Sequence, residues 1–167
     1  MLAGLSERFK DFAETECKGS SALYESLAVR ISEDDDLLKL CMNAQEDQPT
    51  PNLLLGAVHY LLLNGAAHDL RDYYPSIVDE PKRDDRLFQV FKEFCLEYHQ
   101  EIKALLQHKL VQTNEVRRCA YLFPVFSYIY QQTGKPLSLI EIGTSAGLQL
   151  LFDQYGYSYG SAYIYQL

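Results

Sequence analysis

The sequence predicts a mainly α-helical protein: a helical bundle over residues 1–133, followed by one C-terminal βα unit over 134–167. Three observations point there. The first two-thirds of the chain repeats apolar residues at helical spacing, as in Leu5, Phe9, Phe12 and Ala13. The stretch from Asn52 to Leu63 is apolar nearly all round, as the central helix of a bundle is. Near the end, Leu137, Leu139, Ile140 and Ile142 form a short apolar run between Pro136 and Gly143. A glycine-punctuated turn follows, then Leu148, Leu150, Leu151 and Tyr155 at helical spacing, which reads as strand, turn, helix.

In chain order, a first helix starts near Ser6 and ends before Gly19. Ser20 or Ser21 caps a second, built on Leu23, Leu27, Val29 and Ile31. Ser32 precedes Glu33-Asp34-Asp35-Asp36, an acidic first turn that suits a helix N-terminus. A calcium loop would separate its carboxylates with spacers and a glycine, so no metal is expected there. Pro51 opens the central helix and Asn64-Gly65 closes it. His59 within it lacks a second ligand at i+4 and is expected as a hydrogen-bonded core residue. Asp69–Tyr74 makes a short helix, and Ser76–Asp85 a charged surface loop. One amphipathic helix of about twenty residues, or roughly 30 Å, then carries Leu87 through Leu106. Another runs from about Asn114 to Thr133, with Pro124 inside it to kink the axis.

Composition narrows the function. The 167 residues are 47% apolar and 13% aromatic, enough for a buried core and too apolar for disorder. Formal net charge is −8, which repels phosphate backbones and anionic lipid surfaces, so neither nucleic acid nor membrane is an expected partner. Cys17, Cys41, Cys95 and Cys119 form no C-x-x-C pair, and residues 1–20 carry Glu7, Asp11, Glu14 and Glu16 where a signal peptide would be apolar. Buried reduced thiols in a cytoplasmic protein are the simplest account.

The turn Gly143-Thr144-Ser145-Ala146-Gly147 is where the sequence points to chemistry. A strand-turn-helix unit aims backbone NH groups at whatever lies over the turn. A phosphate-binding loop needs Lys-Ser/Thr after its last glycine, and here Leu148-Gln149 follows. A dinucleotide fingerprint needs glycine where Ser145 and Leu148 stand. G-x-S-x-G is the nucleophile elbow, and GTSAG is similar to the nucleophile turn of patatin-like lipases, which would make Ser145 the nucleophile of a serine hydrolase. That order places a histidine after the serine, yet all four histidines, His59, His68, His99 and His108, precede it. The remaining reading is D/E-x-G-x-x-x-G, the first motif of class I S-adenosylmethionine-dependent methyltransferases, which Glu141 to Gly147 resembles with Ser145 in place of a middle glycine. Glu141, Gly143, Thr144, Ser145 and Gly147 are then the cofactor-contacting set, Glu141 offering a carboxylate to the cofactor's ammonium group.

Upstream, Val111 to Arg118 packs two amides, a carboxylate and two guanidiniums into a short stretch, a density suited to a polar small-molecule ligand. Gln112, Asn114, Glu115 and Arg118 are the candidate pocket residues; Thr113 or Asn114 capping the next helix is the structural alternative.

Four ordered stretches together resemble a bacterial family known as domain of unknown function 2332: Ser20-Ser21-Ala22-Leu23-Tyr24, Pro51-Asn52-Leu53-Leu54-Leu55 with Ala57-Val58-His59-Tyr60-Leu61-Leu62, Gln112 to Arg118, and Leu139 to Leu148. The resemblance implies a helical region followed by the start of a Rossmann-like methyltransferase domain, in a protein about twice this length. It implies S-adenosylmethionine beside Glu141, Gly143 and Gly147. It assigns no catalytic residue and no methyl acceptor. The tail from Tyr155 to Leu167 holds no carboxylate to grip a ribose, so the expectation is an N-terminal portion of a methyltransferase-like protein, inactive alone. The alternative is a non-catalytic helical module that forms homo-oligomers through an exposed sheet edge.

Overall fold

A computed structural model describes residues 2–112, 114–160 and 164–165. The chain divides into two compact units, Met1–Val111 and Gln112–Leu167.

The first unit is helical throughout. It contains α1 (Leu2–Phe12), α2 (Ala22–Ile31), α3 (Asp35–Cys41), α4 (Thr50–Leu63), α5 (Leu87–Glu97) and α6 (His99–His108). α1 runs on into a π-helical turn, Ala13–Cys17. The helix starts follow from side-chain oxygens that meet orphan amides. Ser21 accepts from the Tyr24 amide at 3.3 Å, and one Asp34 oxygen accepts from the Asp36 and Leu37 amides at 3.1 Å each. Asp34 is therefore the cap of α3. Pro51 sits in the first turn of α4, where its missing N–H costs nothing. His68 takes the same role before the 3-10 turn Asp69–Tyr73, with Nδ1 accepting from the Leu70 amide at 3.1 Å.

Burial confirms α4 as the central helix: Leu54, Val58 and Leu62 are fully enclosed, with Phe9, Leu27, Ile31, Phe91, Phe94, Ile102 and Leu106 around them. Each such side chain contributes about 1.5–3 kcal/mol of burial. The single helix expected over 87–106 is two helices. Tyr98 leaves the helical region (φ −97°, ψ 29°) while its ring stacks on Phe94 with centroids 4.5 Å apart. A polar tie crosses the unit: Lys92 on α5 donates to Asp34 at 2.7 Å and to Asp36 at 3.1 Å.

In the second unit, a 3-10 turn (Val116–Arg118) leads into α7 (Cys119–Thr133), which contains Pro124 and ends on Gly134 in the left-handed region (φ 62°). The helix expected from Asn114 thus starts at Cys119, and Thr113 lies outside the described residues. A small core joins Cys119, Phe123 and Tyr157, with Ala120, Phe152 and Tyr155 packed against it. Phe123 and Tyr157 stack at 4.3 Å, and the Tyr159 hydroxyl donates to the Ala120 carbonyl at 2.5 Å.

The C-terminal βα unit does not form. Among the described residues there is no strand and no sheet, only an antiparallel bridge between Tyr157 and Tyr165. From Leu137 to Ile142 exposure still alternates as in a strand, with Leu137, Leu139 and Glu141 partly covered and Ser138, Ile140 and Ile142 open. Ile140 and Ile142 are 92% and 96% exposed, so the run has the side-chain pattern of a strand and, among the described residues, no neighbour to pair with. A lone strand has no ladder to stabilise it. The helix expected after the turn is a 3-10 segment, Leu148–Gln154, broken at Leu151. With no sheet among the described residues, the sheet edge expected to carry homo-oligomers is not seen there. No described helix is long and apolar enough to cross a membrane.

Candidate functional site

The Glu141–Gly147 turn is held by short-range hydrogen bonds. The Thr144 hydroxyl donates to the Glu141 carbonyl at 2.7 Å, and the Gly147 amide donates to the Thr144 carbonyl at 2.9 Å. Three positions are left-handed: Gly143 (φ 73°), Ser145 (φ 52°) and Gly147 (φ 73°). Glycine adopts this region freely, whereas a serine is strained there. The amides of Thr144, Ser145 and Ala146 find no acceptor among the described residues.

Two of the expected pocket residues meet this turn. Asn114 Nδ2 donates to Ser145 Oγ at 2.8 Å, and Ser145 Oγ donates to Gln112 Oε1 at 3.1 Å. The strained serine is thereby fixed through both its donor and its acceptor. Glu115 does not pair with Arg118; its carboxylate accepts from the Arg117 amide at 3.0 Å and caps the following 3-10 turn. Arg118 is exposed and makes no ion pair among the described residues.

Glu141 is the residue that stands out chemically. Its Oε2 is fully buried and has no hydrogen-bond partner among the described residues. An unpaired buried polar atom costs about 1–3 kcal/mol, so this oxygen is a place where a donor would gain. Cys119 is held above the ordinary thiol range, first by burial and then by the charge of Glu141. Tyr157 is pushed up to about 12, mainly by burial, with Cys119 adding to it. An apolar cavity of about 440 Å³ in the same unit is lined by Phe126, Ser127, Tyr130, Gln131, Leu137 and Phe152. None of those residues belongs to the turn.

A family described as "Uncharacterized protein conserved in bacteria (DUF2332)" matches residues 6–164. The chain belongs to the DUF2332 family. No curated protein and no solved structure matches it.

Among the described residues of this DUF2332 chain, Ser145 is hydrogen-bonded to amide side chains and to no general base. Its hydroxyl proton goes to an amide oxygen, and its unit, Gln112–Leu167, contains no histidine. His59 is hydrogen-bonded, as expected of it, but only half buried: Nε2 lies 2.7 Å from Ser76 Oγ and Nδ1 lies 3.4 Å from the Tyr24 hydroxyl. Ser76 gave no signal in the sequence, because a serine in a charged, proline-bearing loop has no periodicity to mark it. The four cysteines are all buried and unpaired, and burial alone pushes Cys41 up to about 12.

Proposed function

We propose that the Glu141–Gly147 turn contacts the amino-acid end of an S-adenosylmethionine-type cofactor, making this chain a portion of a methyltransferase-like protein. The observation that carries this reading is the buried Glu141 Oε2, which has no partner among the described residues. A substituted ammonium ion is a donor that would satisfy it. The left-handed glycines and the unpaired amides of Thr144 to Ala146 support the same reading, since they leave donors for a carboxylate group. Gln112 and Asn114 keep Ser145 in place and so fix the shape of the turn.

The fit is to one end of such a cofactor. After Gly147 the chain carries one carboxylate, Asp153, six residues on, and not the ribose-binding acid expected about twenty residues on. When bound, the cofactor supplies an electrophilic methyl group. The residues here bind and orient it. The test is calorimetric titration with S-adenosylhomocysteine. Wild type should bind, and Glu141→Gln should bind roughly 10–100-fold more weakly, the worth of a hydrogen bond to a charged group. Equal binding by both, or none by wild type, removes the reading.

A second reading, self-association of a helical module, is favoured by one observation. Tyr121, Val125 and Tyr128 lie at i, i+4 and i+7 on α7 and are each more than half exposed. Gln112–Leu167 has three cations, Arg117, Arg118 and Lys135, against three carboxylates, Glu115, Glu141 and Asp153. A second copy therefore meets no net charge repulsion at this face, whereas the whole −8 lies on residues 1–111. Light scattering should give a dimer mass, and Val125→Glu a monomer. A monomeric wild type rejects it.

A further inference from the structure

Within Met1–Val111, three side chains from distant parts of the chain meet at His59. Tyr24 comes from the first turn of α2, His59 from α4, and Ser76 from the turn after Pro75. The Nε2–Oγ distance to Ser76 is 2.7 Å and the Nδ1–O distance to Tyr24 is 3.4 Å. Burial holds the imidazole below the ordinary histidine value, so it is neutral at neutral pH. Burial, and then Cys17, raises the Tyr24 phenol, which keeps its proton. In the tautomer with its hydrogen on Nδ1, His59 donates to the Tyr24 oxygen, and Nε2 is left to receive the Ser76 proton. The Tyr74 ring lies 5.1 Å from the imidazole and covers one side of it. Ser76 itself is exposed to solvent.

A cavity of about 540 Å³ is lined by Leu23 and Pro75 among others, the residues immediately before Tyr24 and Ser76 in the chain. Its walls also carry Lys82, Arg83, Asp84 and Asp85. Lys82 is paired with Asp72 at 2.7 Å, whereas Arg83 has no ion-pair partner among the described residues. Tyr24, His59 and Ser76 do not themselves line this cavity, and the Ser76 hydroxyl meets a substrate from its solvent-exposed side.

We propose that Ser76, His59 and Tyr24 form an acyl-transfer site for small carboxylic esters. Ser76 Oγ bonds to the ester carbonyl carbon as its proton passes to His59 Nε2. The carbon–oxygen bond to the alcohol then breaks, and that proton leaves with the alcohol. Water attacks the acyl-serine, gives a proton to the same nitrogen and releases the acid, and Ser76 recovers its proton from His59. Ser76 and His59 are the catalytic residues. Tyr24 acts through the imidazole and is a positioning residue.

The test uses the full chain with a fluorophosphonate probe, mapped by peptide mass spectrometry, and p-nitrophenyl acetate as substrate. The site predicts a label on Ser76 that is lost in Ser76→Ala and kept in Ser145→Ala. His59→Gln should lower hydrolysis at least about a hundredfold, the usual worth of a general base. Tyr24→Phe should lower kcat while KM stays within about twofold, a split that loss of packing alone does not produce. Absence of label on wild type overturns the proposal, as does label at another residue or hydrolysis that survives Ser76→Ala. Because this site and the turn at Glu141 are tested with different probes, failure of one leaves the other standing.

Discussion

The tie between α3 and α5 allows a stability prediction that separates its two parts. Asp34 does two jobs: one oxygen caps α3 through the Asp36 and Leu37 amides, and the other accepts from Lys92 at 2.7 Å. Its side chain is 13% exposed and that of Lys92 is 25%, so the pair is only partly screened by water. Asp34→Asn keeps a good cap and loses the charge, and should cost about 1 kcal/mol. Asp34→Ala loses both and should cost about 2 kcal/mol, the cap adding about 1. A double-mutant cycle with Lys92→Met isolates the pair, and its coupling should be about 1 kcal/mol. Burial alone would raise the Asp34 carboxyl, but the hydrogen bonds from Lys92, Leu37 and Asp36 outweigh it and hold the group below its ordinary value. A depressed carboxyl stabilises the fold above its unfolded value of about 3.9 and loses that contribution as pH falls through the folded value. Urea unfolding followed by circular dichroism at pH 7 and near pH 3 is the assay. The gap between wild type and Asp34→Asn should shrink at the lower pH. A zero coupling energy, or a gap independent of pH, refutes the reasoning.

Two glycines should respond to alanine with opposite signs. Gly143→Ala places a Cβ in open space but at φ 73°, so it should destabilise by about 1–2 kcal/mol. Gly56→Ala also meets nothing within 4 Å, but on α4, and should stabilise by about 0.5–1 kcal/mol. Paired urea melts check both. Asn114→Ala should free Ser145 and cost about 1 kcal/mol, read by loss of protection at the Gly147 amide in hydrogen exchange. Cys41 and Cys95, both buried and raised, should react with iodoacetamide only on unfolding, which timed alkylation with mass mapping will show.

The helices were legible because their signals are local. The apolar run before Gly65, the proline at its start and the acidic turn at Asp34 each act within a few residues, and the structure uses all three. The break at Tyr98 was not legible, since the side chains from Leu87 to Leu106 keep one apolar face through it. The strand failed for a different reason. Leu137 to Ile142 has strand composition, but a strand exists only with a partner, and no neighbouring segment among the described residues supplies one. At the turn, Glu141, Gly143 and Gly147 were readable as a motif, and Gln112 and Asn114 as a polar cluster. That the two sets meet at Ser145 is a contact over about thirty residues that no local pattern encodes. The partner of His59 is non-local in the same way, as Ser76 is seventeen residues on, across a loop.

The central claim, that the turn receives a charged small molecule, is tested most directly by nuclear magnetic resonance on the isotopically labelled chain. Titrated with S-adenosylhomocysteine, the amides from Gly143 to Gly147 and the side-chain amides of Gln112 and Asn114 should shift together and saturate. A spectrum that does not change, or one that changes only within residues 1–111, contradicts it.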